Sequence, residues 1–173
     1  MTRYNKLLVA AGTAALSAGL YTTVASAVSI NADADARVIT ALILNQTNGI
    51  DFGDVVAGTV ASTIQLDTSN NPTVTLGDAQ LAGGTVLAGA YTLSGEPLKS
   101  YSITLPGPLS PATITSGGGD TMTVTSFIHN AGAAPALDGA GAGGFNVGAT
   151  LNMSANQPGG AYAGTWPLIV NYQ

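Results

Sequence analysis

The sequence predicts an all-β fold, an immunoglobulin-like β-sandwich of about seven or eight short strands. Apolar and polar residues alternate through most of the chain after residue 28, which sorts side chains onto the two faces of a strand. Clusters of Gly, Pro, Asn, Asp and Ser break the alternation at short intervals, as turns do. Only 8% of the 173 residues are charged while 46% are hydrophobic, so the chain has the apolar surface to build a core and is not a disordered segment.

The chain opens on a different pattern. Arg3 and Lys6 precede an apolar run from Leu7 to Leu20, and Ala25-Ser26-Ala27 closes it with small residues. A basic head, an apolar middle and an A-x-A exit are the parts of a secretory signal, with cleavage expected after Ala27. Gly12, Thr13, Ser17, Gly19, Thr22 and Thr23 dilute the run and weaken it as a permanent membrane span. Cleavage removes two of the four basic residues and no acid. Arg37 and Lys99 then stand against nine acids, a net charge of 2 − 9 = −7.

Three regions are expected: a signal peptide at 1–27, an N-terminal arm at 28–38 and a sandwich domain at 39–173. In the arm, Val28, Ile30, Ala32, Ala34, Ala36 and Val38 alternate without a break against Ser29, Asn31, Asp33, Asp35 and Arg37. This is a half-apolar strand with no hairpin partner beside it in sequence. Val38 to Leu44 is nearly continuous apolar, as a strand covered on both faces would be. Val60, Ile64 and Leu66 form a looser alternation broken by Ser62, and Leu87, Tyr91 and Leu93 suggest another with Gly89 as its weak point.

Tyr101, Ile103 and Leu105, and then Met122 and Val124, mark two more strands. Phe145, Val147, Ala149, Leu151 and Met153 make the longest, and Trp166, Leu168, Val170 and Tyr172 carry the pattern to the C-terminus. Turns are expected at Asp67 to Pro72, Gly83-Gly84, Ser94 to Pro97, Pro106 to Pro111, Ser116 to Asp120 and Gln157 to Gly160. Residues 131–144, almost all Ala and Gly, read as a flexible loop. An outer-membrane barrel shares this local grammar, but it needs longer strands and aromatic girdles, and aromatics are 6% here.

The chemistry of the chain is sparse. There is one histidine and no cysteine, which excludes thiol chemistry, disulfides and a Cys/His metal cluster. An acidic balance argues against nucleic acid as partner. His129 is the only imidazole, and no nucleophile-elbow motif accompanies it. Asp33 with Asp35, and Asp51 with Asp54, are carboxylate pairs, but neither lies in an oxygen-rich calcium loop. Gly117-Gly118-Gly119 lacks the lysine of a phosphate loop and fits a hairpin turn. Trp166, Tyr162 and Tyr172 suggest a sugar platform, yet alternation puts Trp166 and Tyr172 on the face of Leu168 and Val170. No enzyme activity, cofactor or metal is expected.

Two stretches also carry a likeness in their order and spacing: Ile50-Asp51-Phe52-Gly53-Asp54-Val55 with Gly58-Thr59, and Val147 to Leu151 running through Gly164-Thr165 to Val170-Asn171-Tyr172. Together they resemble the bacterial secreted family catalogued as domain of unknown function 4402. The ending Leu168 to Gln173, with its penultimate Tyr172, is more loosely similar to chaperone–usher pilins and to spore coat protein U domains. That second resemblance implies a final strand that a periplasmic chaperone pairs with and an outer-membrane usher reads. Two departures from the pilin pattern stand out: no disulfide is possible, and Pro167 sits where only a strand start, an edge or a bulge tolerates it.

The expected function is a structural subunit of an extracellular fimbria or surface filament. Its partners would be copies of itself, with a periplasmic chaperone and an usher during assembly. Val28, Ile30, Ala32, Ala34, Ala36 and Val38 would be the donor strand added to a neighbour's sheet edge. An ordinary first strand of the chain's own sandwich fits the same alternation. The rival reading is a secreted monomeric module that binds carbohydrate or another surface ligand.

Overall fold

The computed structural model describes residues 27–173. The expected signal segment therefore lies outside the described residues, apart from Ala27. Among the described residues there is no helix, and twelve strands form antiparallel sheets. The strands are β1 (Ile43–Asn48), β2 (Asp51–Val56), β3 (Ser62–Leu66), β4 (Pro72–Leu76), β5 (Gln80–Leu87) and β6 (Gly89–Ser94). They continue with β7 (Tyr101–Thr104), β8 (Ala112–Ser116), β9 (Thr121–His129), β10 (Ala142–Met153), β11 (Tyr162–Ala163) and β12 (Ile169–Tyr172). The all-β sandwich is thus what the chain forms, with more strands than alternation alone marks out.

The first layer is built on β10, the longest strand at 12 residues. One of its edges pairs with β9. The other pairs with β6 as far as Val147 and with β3 from Ala149 onward. Gly148 sits at the change of partner, where a Cβ would run into the carbonyl of Leu66 and the backbone of Asp67. Beyond these neighbours the sheet extends to β1 on one side, to β8 and β11 on the other, and to β4 beside β3. Phe145 lies opposite Tyr91, and Leu151 lies between Val124 and Ile64. All five side chains are buried, so the alternation seen in sequence becomes rows of cross-strand apolar pairs.

A bulge in β9 adjusts that alternation. Ile128 faces Gly148 and Thr125 faces Thr150, leaving Ser126 and Phe127 against Ala149 alone. Ser126 takes a φ of 51°. The extra residue shifts the strand's phase, so Phe127 joins Met122 and Val124 in the core. Simple period-two reading stops at Val124 and misses it.

The second layer comes in two separate pieces, a β2–β5 pair and a β7–β12 pair. Phe52 and Val55 from the first, and Leu168, Val170 and Tyr172 at the second, pack half-buried against the core. Facing the first layer, these pieces close a core centred on Ile64, Tyr91, Val147 and Leu151.

Several expectations are corrected. Val38 to Leu44 is not a strand covered on both faces: the strand starts at Ile43, it is an edge strand, and Val38, Ile39, Ala41 and Ile43 are exposed. Gly83-Gly84 is not a turn but lies inside β5 at a register shift opposite Asp54. Both glycines have positive φ, and a Cβ on Gly84 would crowd Asp54. Val60 lies outside the strand, whereas Ser62, read as a break, begins it and is buried. Its hydroxyl accepts the backbone N–H groups of Asp78 and Ala79 and donates to the Val60 carbonyl, which removes the cost of burying it.

The segment 131–144 is tied to the fold rather than left as a free loop. Leu137 is buried, its N–H donates to the Lys99 carbonyl, and the Tyr101 N–H donates to the Pro135 carbonyl. Asp138 caps the tight turn that follows by accepting from the N–H groups of Ala140 and Ala142. The expected hairpin over Ser116 to Asp120 does connect β8 and β9.

Candidate functional site

Three features stand out: the N-terminal arm, the C-terminal strand and a cleft. In the arm every residue from Ala27 to Val38 is exposed, and none lies in a strand or helix. The apolar residues are left in water, with Val28 90%, Ile30 84% and Val38 96% exposed. Ala32, Ala34 and Ala36, exposed too, carry the same face of the alternation between these larger residues.

The C-terminal residues present one face inward. Trp166, Leu168, Val170 and Tyr172 are half-buried, while Pro167, Ile169 and Asn171 are exposed. Trp166 lies against Phe127 with ring centroids 4.7 Å apart and meets Tyr91 edge-on at 6.1 Å. Pro167 precedes β12 and so removes no ladder hydrogen bond from it. The strand pairs with β7, placing Tyr172 opposite Tyr101 and Val170 opposite Ile103.

Tyr172 is half-buried rather than fully buried, and its hydroxyl is used twice. It accepts the Glu96 N–H at 2.6 Å and donates to the Thr40 carbonyl at 3.0 Å. The Glu96 carboxylate accepts the Thr40 N–H at 3.1 Å, so Thr40 is held through both its backbone groups. Gly95 leaves the room for this arrangement, since a Cβ there would meet the Tyr172 hydroxyl.

The cleft, about 1010 Å³ in volume, opens between β2 and the chain that runs from Gln157 to Leu168. One wall is β2 with its flanking residues from Gly49 to Ala57, and the other is the chain from Gln157 to Leu168. Its floor is the inner face of the first layer, with Tyr91, Ile114, Met122, Val124, Leu151 and Met153. Among the described residues β2 pairs only with β5, and β12 only with β7, so each strand has one unpaired edge.

The polar candidates do not gather into a reactive group. His129 ends β9 half-buried, accepts the Ala131 N–H on Nδ1, and meets Phe145 edge-on. Asp51 accepts the Gly53 N–H, and Asp54 lies beside Gly84. No cluster of three or more metal-ligating side chains occurs among the described residues. The best-connected acids shape loops. Asp78 accepts from the Thr59 N–H, the Thr59 hydroxyl and the Val60 N–H, which hold its carboxyl below the usual range. Asp67 is lowered in the same way by the Asn71 side chain and by the N–H groups of Asn71 and Ser69. Burial pushes the Tyr91 and Tyr101 hydroxyls up.

Sequence reasoning singled out the arm and the C-terminal face but missed the cleft. Its two walls are at least a hundred residues apart, and the β2 wall is interrupted by Gly53 with a φ of 74°. The one available signal was the Asp51 to Val55 stretch, noted for likeness and not as a strand. No curated protein and no solved structure matches the chain. The family model "Domain of unknown function (DUF4402)" matches residues 42–172, from the residue before β1 to the end of β12, and the chain belongs to that family.

Proposed function

We propose that this protein is a structural subunit of an extracellular fimbria or surface filament, joined to its neighbours by strand addition through residues 28–38. The observation that carries the reading is the arm itself: an unbroken apolar stripe that stands in water, with Val28, Ile30 and Val38 at least 84% exposed. Each such side chain is worth roughly 1.5–3 kcal/mol when fully buried. A strand with one apolar face recovers that energy, together with its backbone hydrogen bonds, by joining an open sheet edge. Joined head to tail, such contacts do not close on themselves and so grow into a filament. Export through the signal segment at 1–27, and a periplasmic chaperone and usher that guard the arm and the C-terminal strand before assembly, belong to the same proposal.

A second reading is a monomeric binding module, favoured by the cleft with Tyr162 and Trp166 on its wall. Against it, Trp166 already packs on Phe127 and Tyr91, which leaves less of its ring for a sugar. The test is to compare the wild-type chain with a version lacking residues 28–38 by negative-stain microscopy and circular dichroism. Filaments from the wild type and folded monomers from the deletion support the subunit. Filaments of normal length from the deletion would refute strand addition by the arm.

A further inference from the structure

We infer that the cleft between β2 and the 157–168 segment is the acceptor site, and that residues 28–38 of a second copy fill it as a strand added to the open edge of β2. The inference rests on the subunit reading above and adds to it the receiving surface, the facing residues and the consequence for the fold. The second layer is divided into β5–β2 and β12–β7. β2 and β12 each have an unpaired edge, and β2 and the segment 157–168 border the cleft. One strand laid in the cleft would pair with the free edge of β2 and extend the β2–β5 pair to three strands over the first layer. No rearrangement of the existing ladders is needed, because β5 and β7 use the opposite edges.

The side chains of the arm suit that place. Its apolar face would lie on the floor, which Met122, Met153 and Tyr91 help to line. Three consecutive inward positions are alanine (Ala32, Ala34 and Ala36), with Val28, Ile30 and Val38 at the two ends. Alanine adds a Cβ and little more, so the backbone can come close enough to pair with the β2 edge while the floor stays as it is. The opposite face, with Ser29, Asn31, Asp33, Asp35 and Arg37, would point to solvent, where charges on an added strand belong. Eleven extended residues span roughly 36 Å, more than enough to run the length of β2, which has six residues.

The complete absence of cysteine makes the inference directly testable by disulfide trapping, since a disulfide forms only when Cα atoms come within roughly 7 Å. Chains carrying Ala34→Cys are mixed with chains carrying Val55→Cys, Val56→Cys or Thr165→Cys, under assembly conditions and then oxidised. Thr73→Cys, on β4 and away from the cleft, serves as the control. The expected result is a covalent pair with at least one cleft position, at least tenfold above the Thr73 control on a non-reducing gel. Equal trapping at Thr73 would overturn the assignment. So would filaments that form normally with no trapping at any cleft position, an outcome that leaves assembly through the arm intact but moves its acceptor elsewhere. In a chain carrying both Ala34→Cys and Val56→Cys, an internal disulfide without any pair between mixed single variants would place the arm in its own cleft and exclude a second copy. Wild-type chains that form no filaments, together with cysteine variants that do not cross-link, would remove the subunit reading and this one together.

Discussion

Strands β10 and β2 end in opposite situations. β10 is paired on both edges, and Phe145, Val147, Ala149, Leu151 and Met153 are buried. β2 has one partner, none of its residues is fully buried, and Val56 is 56% exposed. The difference does not lie in hydrophobicity alone. β10 holds a clean alternation long enough to recruit three neighbours, whereas β2 is short and crossed by a positive-φ glycine. A sandwich stabilised from one side of its core can leave the other side incomplete, and that is what makes an open edge affordable in a folded domain.

The comparison is broken most forcefully from within the core. Ile64, fully buried against Leu151, should cost about 2–5 kcal/mol as Ile64→Ala, read as a fall in the midpoint of urea unfolding. That is a large part of a small domain's stability. A smaller loss is expected at the β12 end. Tyr172→Phe keeps the ring and removes two hydrogen bonds, to Glu96 and Thr40, at a cost of about 1 kcal/mol for each. A midpoint unchanged in that variant would mean that the hydroxyl does not help to hold Thr40.

Titration sharpens the contrast without mutation. The carboxyls of Asp78 and Asp67 are lowered by the hydrogen bonds they accept. Their contribution is therefore present above the ordinary aspartate value of about 3.9 and is lost as pH falls through their lower folded values. The hydroxyls of Tyr91 and Tyr101 are raised by burial. Their contribution is complete below about pH 10 and is lost as pH rises through the raised values. Thermal melts across pH should thus fall away at both extremes, with Asp78→Asn flattening part of the acid limb. The smallest effect belongs to β2. Val56→Thr should shift the unfolding midpoint by no more than about 0.5 kcal/mol, because the side chain is largely in water before it is changed.

Legibility in the sequence followed the same division. Where alternation is long and uninterrupted, as in Phe145 to Met153, facing and strand identity could be read directly; over Trp166 to Tyr172 the facing was legible, but only Ile169–Tyr172 is a strand. Where one residue shifts the phase, they could not: Ser126 hides Phe127, and Gly53 hides β2. Ser62 looked like a break because a polar residue ordinarily points outward, and only the N–H groups of Asp78 and Ala79, sixteen and seventeen residues on, explain why it points in. The cleft lies beyond any local reading. It is bounded by segments distant in sequence, and its defining property is an edge with nothing beside it.

The clasp at Thr40 bears on how such a molecule would carry tension. In the proposed filament a pull on the arm would be felt at Thr40, which is bound through both backbone groups to Glu96 and Tyr172. Load entering there passes straight into β12, the strand that shares a ladder with β7. The path from arm root to C-terminal strand is a few bonds long, although 132 residues separate its ends in the chain. Strain along a row of subunits would be handed from one terminus to the other across this short strut, and most of the core of each domain would stay out of the line of force.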